Sequence, residues 1–190
     1  MVEIIDASIK DSKIDGLKII TPKQITDERG TIRELFRFSW LKENGIVSSF
    51  EQCNNTLTHR GAVRGLHAEA MTKLVTVASG EVFGAYVDIR PDSPTFGAVE
   101  TVQIKPGVMV LVPNGVCNGF QAAGETADSE YIYFFDKEWK PGMPGSALTP
   151  LDPELGIEWP VPIDVNDRSQ ISEKDLNAPT LAQFKAAHAS

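Results

Sequence analysis

The chain has 190 residues, enough for one well-buried domain and short for two. A formal charge of −8 at pH 7 excludes a nucleic-acid scaffold, because nothing here neutralises phosphates in bulk, although a local basic pocket for a small phosphorylated ligand stays open. With 42% hydrophobic and 23% charged residues, the composition also excludes wholesale disorder.

In chain order, the N-terminus MVEIIDASIKDSK is acidic and lacks the apolar stretch of a signal peptide. No later apolar run approaches the length of a membrane span. Two cysteines, Cys53 and Cys117, are too few for a disulfide framework and fit reduced thiols. The expectation is a soluble, cytoplasmic protein with no membrane partner. The dominant pattern is then period two. TIRELF, SFEQCNNTL, KLVTVAS, VFGAYVDI, VETVQI, VMVLV and SEYIYFF are short, often β-branched, and bounded by Gly, Pro, Asn or Asp. In VFGAYVDI, Phe83, Ala85, Val87 and Ile89 point one way and Val82, Gly84, Tyr86 and Asp88 the other. The turn signals DERG, ASGE, RPDSP, KPG and PNG sit between these runs. Many short strands at this spacing predict an all-β sandwich or barrel. SWLKENG reads as one short helix ended by Gly45, and TLAQFKAAHA as another with Thr180 as its N-cap. The Pro- and Gly-rich stretch 140–162 reads as an irregular arm over the surface.

Chemistry concentrates around GAVRGLHAEAMTKLV, where His67 lies near the end of one strand and Lys73 opens the next. A metal-binding barrel of this kind would want two histidines one residue apart, a nearby glutamate and a later histidine. The three histidines here, His59, His67 and His188, are scattered, so no metal is expected. A lone strand histidine is commonly a core residue bonded to backbone. Against that stand Arg64, Glu69 and Lys73, which are costly to bury unless they pair or line a wet cavity. Arg64 and His67 are three apart and so on opposite faces of an ideal strand, but Gly65 permits a bulge that turns both toward one pocket. In SEYIYFFDKEW, Tyr131, Tyr133 and Phe135 share one face.

Taken together, DERGTIRELF, EQCNNTLT, GAVRGLHAEAMTKLVTVASGEVFGAYVDIRPDSPTFG, LVPNGVCNGF, YFFDKEWKP, LDPELGIEWP and ISEKDLNAP resemble the dTDP-4-dehydrorhamnose 3,5-epimerase family, over residues 20–179. The resemblance implies a cupin-like double-stranded β-helix, or jelly roll, with a few short helices and no metal or other cofactor. It implies one domain over 1–190: N-terminal strands within 1–40 exchanged across a homodimer, and a C-terminal arm and helix over 140–190. It implies proton removal next to the C4 ketone of a nucleotide-linked 4-keto-6-deoxy sugar, a dTDP-sugar, and return of a proton to the opposite face. His67 matches the family's base, Asp175 the carboxylate paired with it, Lys73 the cation at the enolate oxygen, and Tyr133 the acid. Arg29 and Glu34 match residues that reach the ligand across the dimer. Gln52, Asn54, Arg64, Asn118, Trp139 and Lys174 match the lining of the substrate pocket.

Several positions depart from the family pattern. The connection from His67 to Lys73 is shorter by several residues, which implies a wider or differently shaped pocket. Asn118 replaces a histidine that contacts substrate, Ile32 replaces an aromatic that stacks on thymine, and Trp139 replaces a tyrosine. The PGMPG stretch lacks a glutamate that the family carries nearby. These departures imply altered scope: C3 only, C5 only, or another sugar or nucleotide. Two other readings share the ligand class: a ketoisomerase that returns the proton elsewhere, and a non-catalytic sugar-nucleotide binder. The His67, Asp175, Lys73 and Tyr133 set argues against the binder, which needs no base opposite an acid.

Overall fold

The computed structural model describes residues 1–46, 49–125 and 127–188. Strands β1 (Glu3–Ile5), β2 (Ser8–Asp11), β3 (Lys18–Thr21), β4 (Gln24–Asp27) and β5 (Gly30–Arg33) precede a short helix, α1 (Phe38–Glu43). The central run follows: β6 (Gln52–Thr58), β7 (Val63–Glu69), β8 (Lys73–Ser79), β9 (Val82–Asp88), β10 (Val99–Ile104), β11 (Met109–Val112), β12 (Val116–Ala122) and β13 (Ser129–Phe135). The rest of the chain adds β14 (Gly145–Ala147), a 3-10 turn at Pro153–Leu155, and helices α2 (Glu173–Leu176) and α3 (Leu181–His188).

Two antiparallel sheets face one another. One has the order β10-β9-β12-β7-β14 and the other β2-β3-β11-β8-β13-β6. This is the all-β jelly roll that the sequence pattern and the resemblance lead to. A third, three-stranded sheet, β1-β4-β5, stands beside them. Alternation in β9 holds as read. Val82 and Tyr86 join Val75, Val110, Phe120 and Tyr131 in the core between the sheets. Ala85 and Val87 face outward, yet they are equally buried. There they meet Leu148, Leu155, Trp159 and Phe184, so the C-terminal segment covers the outer face of the five-stranded sheet. On the far side, Leu41 and Trp40 of α1 cover the outer face of the six-stranded sheet at Leu74, Met109 and Leu111. Burial on both faces explains why VMVLV is apolar throughout rather than alternating.

Element ends follow local chemistry. TIRELF leaves the ladder after Arg33, because Phe36 turns to pack on Phe50 and Phe134 at ring separations of 5.4 and 5.2 Å. Gly45, at φ +78°, ends α1 with its N–H donating to the Lys42 carbonyl at 3.0 Å. Thr180 caps α3: its Oγ1 accepts from Gln183 N at 3.2 Å, and Gln183 Oε1 accepts from Thr180 N at 2.8 Å.

Candidate active site

A cavity of about 240 Å³ opens between the two sheets. The five-stranded sheet contributes Arg64, His67 and Asn118; the six-stranded sheet contributes Asn54, Lys73 and Tyr133. His67 and Tyr133 therefore stand on facing walls. A second hollow of about 340 Å³ shares Arg64, His67 and Tyr133 with the first and adds Arg168, Lys174 and Asp175.

The bulge at Gly65 exists. Asn118 pairs with His67 and Phe120 with Arg64, so β7 spends one more residue than β12 over this interval. The extra residue cancels the parity argument and sends both Arg64 and His67 to the cavity side, while Leu66 and Ala68 pack outward. Glycine is required here. A Cβ on Gly65 would lie 2.5 Å from the Gly119 Cα, and Gly65 holds φ at +125°.

Asp175 reaches the bulge from 108 residues away and binds His67, its Oδ1 lying 2.7 Å from Nε2. Its Oδ2 accepts from the Gly65 N–H at 3.4 Å, so the same carboxylate ties down both the bulge and the imidazole. Ser172 caps α2 by accepting from Asp175 N at 3.1 Å, which fixes the start of the turn that carries Asp175. Burial pushes the Asp175 carboxyl up, but the hydrogen bond and charge of His67 outweigh it and hold the group below the usual carboxylate range. A carboxylate can only accept, so in the neutral imidazole Nε2 carries the proton and Nδ1 has the lone pair. The His67 side chain is 30% exposed.

Lys73 is almost sealed, and Nζ pairs with Glu69 Oε2 and lies 3.5 Å from the His67 carbonyl. Burial raises the Glu69 carboxyl, and Lys73 more than offsets it, so the carboxyl lies below its ordinary value. Burial pushes the Tyr133 phenol well above its usual value. Asn118 is buried directly across from His67, and its Oδ1 accepts from the Tyr131 hydroxyl at 3.4 Å. Asn54 pairs with Tyr133 across β6 and β13. Gln52 donates from Nε2 to Asn54 Oδ1 at 3.0 Å and accepts from Trp139 N at 2.7 Å, which holds the exposed indole at the cavity rim.

Three of the expected residues line neither hollow in this single chain, and Gln52 is one of them, standing behind Asn54 and Trp139. Arg29 is bound to Asp27 in the β4–β5 turn, and Glu34 is paired with Arg37. Neither lines either hollow around His67. Among the described residues, no three or more His, Cys, Asp or Glu side chains are grouped to hold a metal ion.

Residues 11–183 match the model of the family described as dTDP-4-dehydrorhamnose 3,5-epimerase. The chain belongs to that family. It is 35% identical over 173 residues to a dTDP-4-dehydrorhamnose 3,5-epimerase of Methanothermobacter thermautotrophicus, covering 87% of this chain and 90% of that one. The crystal structure of dTDP-6-deoxy-D-glucose-3,5-epimerase from Legionella pneumophila, in complex with dTDP-4-keto-L-rhamnose, superposes with a TM-score of 0.85 at 35% identity over 96% of each chain. ChmJ, a 3'-monoepimerase from Streptomyces bikiniensis in complex with dTDP-quinovose, gives 0.81 at 31% identity over 93% of this chain and 89% of that one. The epimerase family thus includes relatives described as acting at two centres and at one.

The structure adds residues that the sequence reading left out of the site. Thr56, Phe120 and Phe135 line the cavity. Each is two positions from a residue already singled out (Asn54, Asn118 and Tyr133), so period two carried the signal. Arg168 lines the second hollow from an irregular loop, where no periodicity marks it.

Proposed function

We propose that the chain inverts a carbon adjacent to the C4 ketone of a nucleotide-linked 4-keto-6-deoxy sugar, at C3, C5 or both. The observation that carries this reading is the His67–Asp175 pair facing Tyr133 across one cavity that also holds the Lys73 ammonium. Nδ1 of His67 takes the C–H proton, the C–H electron pair becomes the enolate double bond, and the ketone oxygen takes the negative charge. Asp175 favours the imidazolium that forms. Lys73, in a nearly dry wall, offsets the charge on the oxygen more strongly than it would in water. Tyr133 then gives its phenolic proton to the same carbon from the opposite face, the ketone re-forms, and water resets both groups. The chemistry draws on side chains alone and needs no cofactor.

Arg64 and Lys174 suit the diphosphate, since both border the second hollow and a guanidinium donates two parallel hydrogen bonds. Asn54, Asn118 and Trp139 form the sugar and base end of the pocket, with Gln52 supporting Asn54 and Trp139 from behind. A homodimer fits the three-stranded sheet, which leaves Ile4, Ile5, Ile25 and Ile32 exposed. In that arrangement Arg29 and Glu34 complete the ligand site of the second copy. The free thiols Cys53 and Cys117 suit a reducing cytoplasm, and no described helix is long and apolar enough to cross a membrane.

The decisive experiment is NMR of the protein with dTDP-4-keto-6-deoxyglucose in D2O. Deuterium is expected at the inverted carbon or carbons. Absence of uptake at both C3 and C5 removes the proposal.

A further inference from the structure

Glu69 and Lys73 close the tight connection between β7 and β8, and their side chains form an ion pair in the cavity wall. The turn is held in place: Met71 is buried, its N–H donates to the Glu69 carbonyl at 2.6 Å, and Ala70 N donates to the Pro144 carbonyl at 3.0 Å. The two side chains differ in access. Lys73 is 5% exposed and Glu69 is 30% exposed. Oε1 of Glu69 accepts no hydrogen bond from another described residue, and Lys73 keeps the carboxylate ionised at neutral pH. The wall therefore offers an ammonium donor and a carboxylate acceptor side by side.

The matching pair on a sugar is an α-hydroxyketone, whose carbonyl oxygen accepts and whose neighbouring hydroxyl donates. In a 4-keto-6-deoxy sugar, C5 carries the methyl group and the ring oxygen, so the adjacent hydroxyl can only be at C3. Resting on the proposed function, we infer that Glu69 is a specificity-determining residue: it accepts the hydrogen bond of the C3 hydroxyl while Lys73 takes the C4 oxygen. The chain thereby selects 4-keto sugars that keep a free C3 hydroxyl. A 3-deoxy sugar leaves a charged acceptor unpaired in a partly dry wall, and sites built to bind a hydroxyl reject ligands that lack it.

The test compares solvent-deuterium uptake next to the ketone for dTDP-4-keto-6-deoxyglucose and for its 3-deoxy analogue. Wild type is expected to favour the 3-hydroxy sugar by roughly 10- to 100-fold in kcat/KM, the range of one hydrogen bond to a charged group. Glu69→Ala is expected to reduce that preference to within about threefold, chiefly by losing rate on the 3-hydroxy sugar. Glu69→Met, similar in size and without an acceptor, makes the same comparison if the alanine variant does not fold. Glu69→Gln, which keeps an acceptor oxygen, is expected to retain part of the preference. A preference unchanged in the alanine or methionine variant, or absent in wild type, overturns the inference. Calorimetric affinities for the two sugars separate it from the proposed function. A wild type that binds both but exchanges no hydrogen removes the function, while the affinity ratio in wild type and variants still decides the role of Glu69.

Discussion

Asp88 and Asp175 are both buried carboxylates, and both are held below the usual carboxylate range, but their surroundings differ in kind. Asp88 ends β9 and spends its oxygens wholly on protein. Arg90 grips it through Nε at 2.9 Å and Nη2 at 2.7 Å, and the hydroxyls of Ser93 and Thr95 reach Oδ2 at 2.5 and 2.7 Å. Arg90 is itself occupied, donating to the Asp15 carbonyl at 2.7 Å. This clamp pins the RPDSPT turn to the sheet. Asp175 instead holds a histidine whose other nitrogen has no hydrogen-bond partner among the described residues, on the wall of a cavity. A saturated network is a fastening; one left open toward a cavity is a site.

The largest expected effect tests the open network. His67→Ala should lower deuterium exchange by about 10²- to 10⁴-fold, the usual contribution of a positioned base, and should cost less stability than loss of the Asp88 clamp, because Asp175 keeps the Gly65 N–H and borders a hollow open to water. Asp88→Ala should do the reverse. Removing one partner of a buried ion pair costs about 3–5 kcal/mol, so the variant should melt roughly 6–20 °C lower while its folded fraction turns over at the wild-type rate. Equal loss of stability in the two variants would erase the distinction.

A smaller effect is expected for Asp175→Asn, which keeps the shape but lets the imidazole adopt the other tautomer. A roughly 10- to 100-fold fall in kcat with little change in KM is expected in steady-state assays. Acid titration sharpens the comparison further. Arg90 and the two hydroxyls outweigh burial at Asp88, and His67 outweighs it at Asp175. A carboxylate with a depressed folded-state pKa stabilises above its unfolded value of about 3.9, and that contribution is lost as pH falls from there through the folded value. Thermal melts between pH 5 and pH 3 should show this decline in wild type and a shallower one in Asp88→Asn. The smallest effect is at high pH. Burial raises the Tyr133 phenol, and the acid acts in its protonated form, so loss of kcat/KM from its ionisation should begin only above about pH 10.

Much of this was legible locally. The alternation in KLVTVAS, VFGAYVDI and SEYIYFF located β8, β9 and β13, because side-chain direction along a strand is set within two residues. The glycine at 65 marked a possible bulge, since only a residue without Cβ tolerates the backbone approach found there. Other features had no local signal. Burial of Ala85 and Val87 depends on Leu148, Leu155 and Phe184, which the chain supplies about 60 residues or more later. Glu69 was visible as one charge among several; its pairing with Lys73 and its place in the cavity wall emerged only once β7 and β8 were packed.

The sequence by itself determined the strand pattern, the candidate histidine, lysine and tyrosine, and the family motifs, because periodicity and residue chemistry are properties of short segments. The tertiary structure decided what periodicity leaves open and the resemblance only implied: that Asp175 meets His67 across 108 positions, that the bulge turns Arg64 and His67 to one side, and that Tyr133 faces them from the other sheet. The physical reason is that hydrogen bonds and ion pairs act over a few ångströms, and only packing brings distant segments that close.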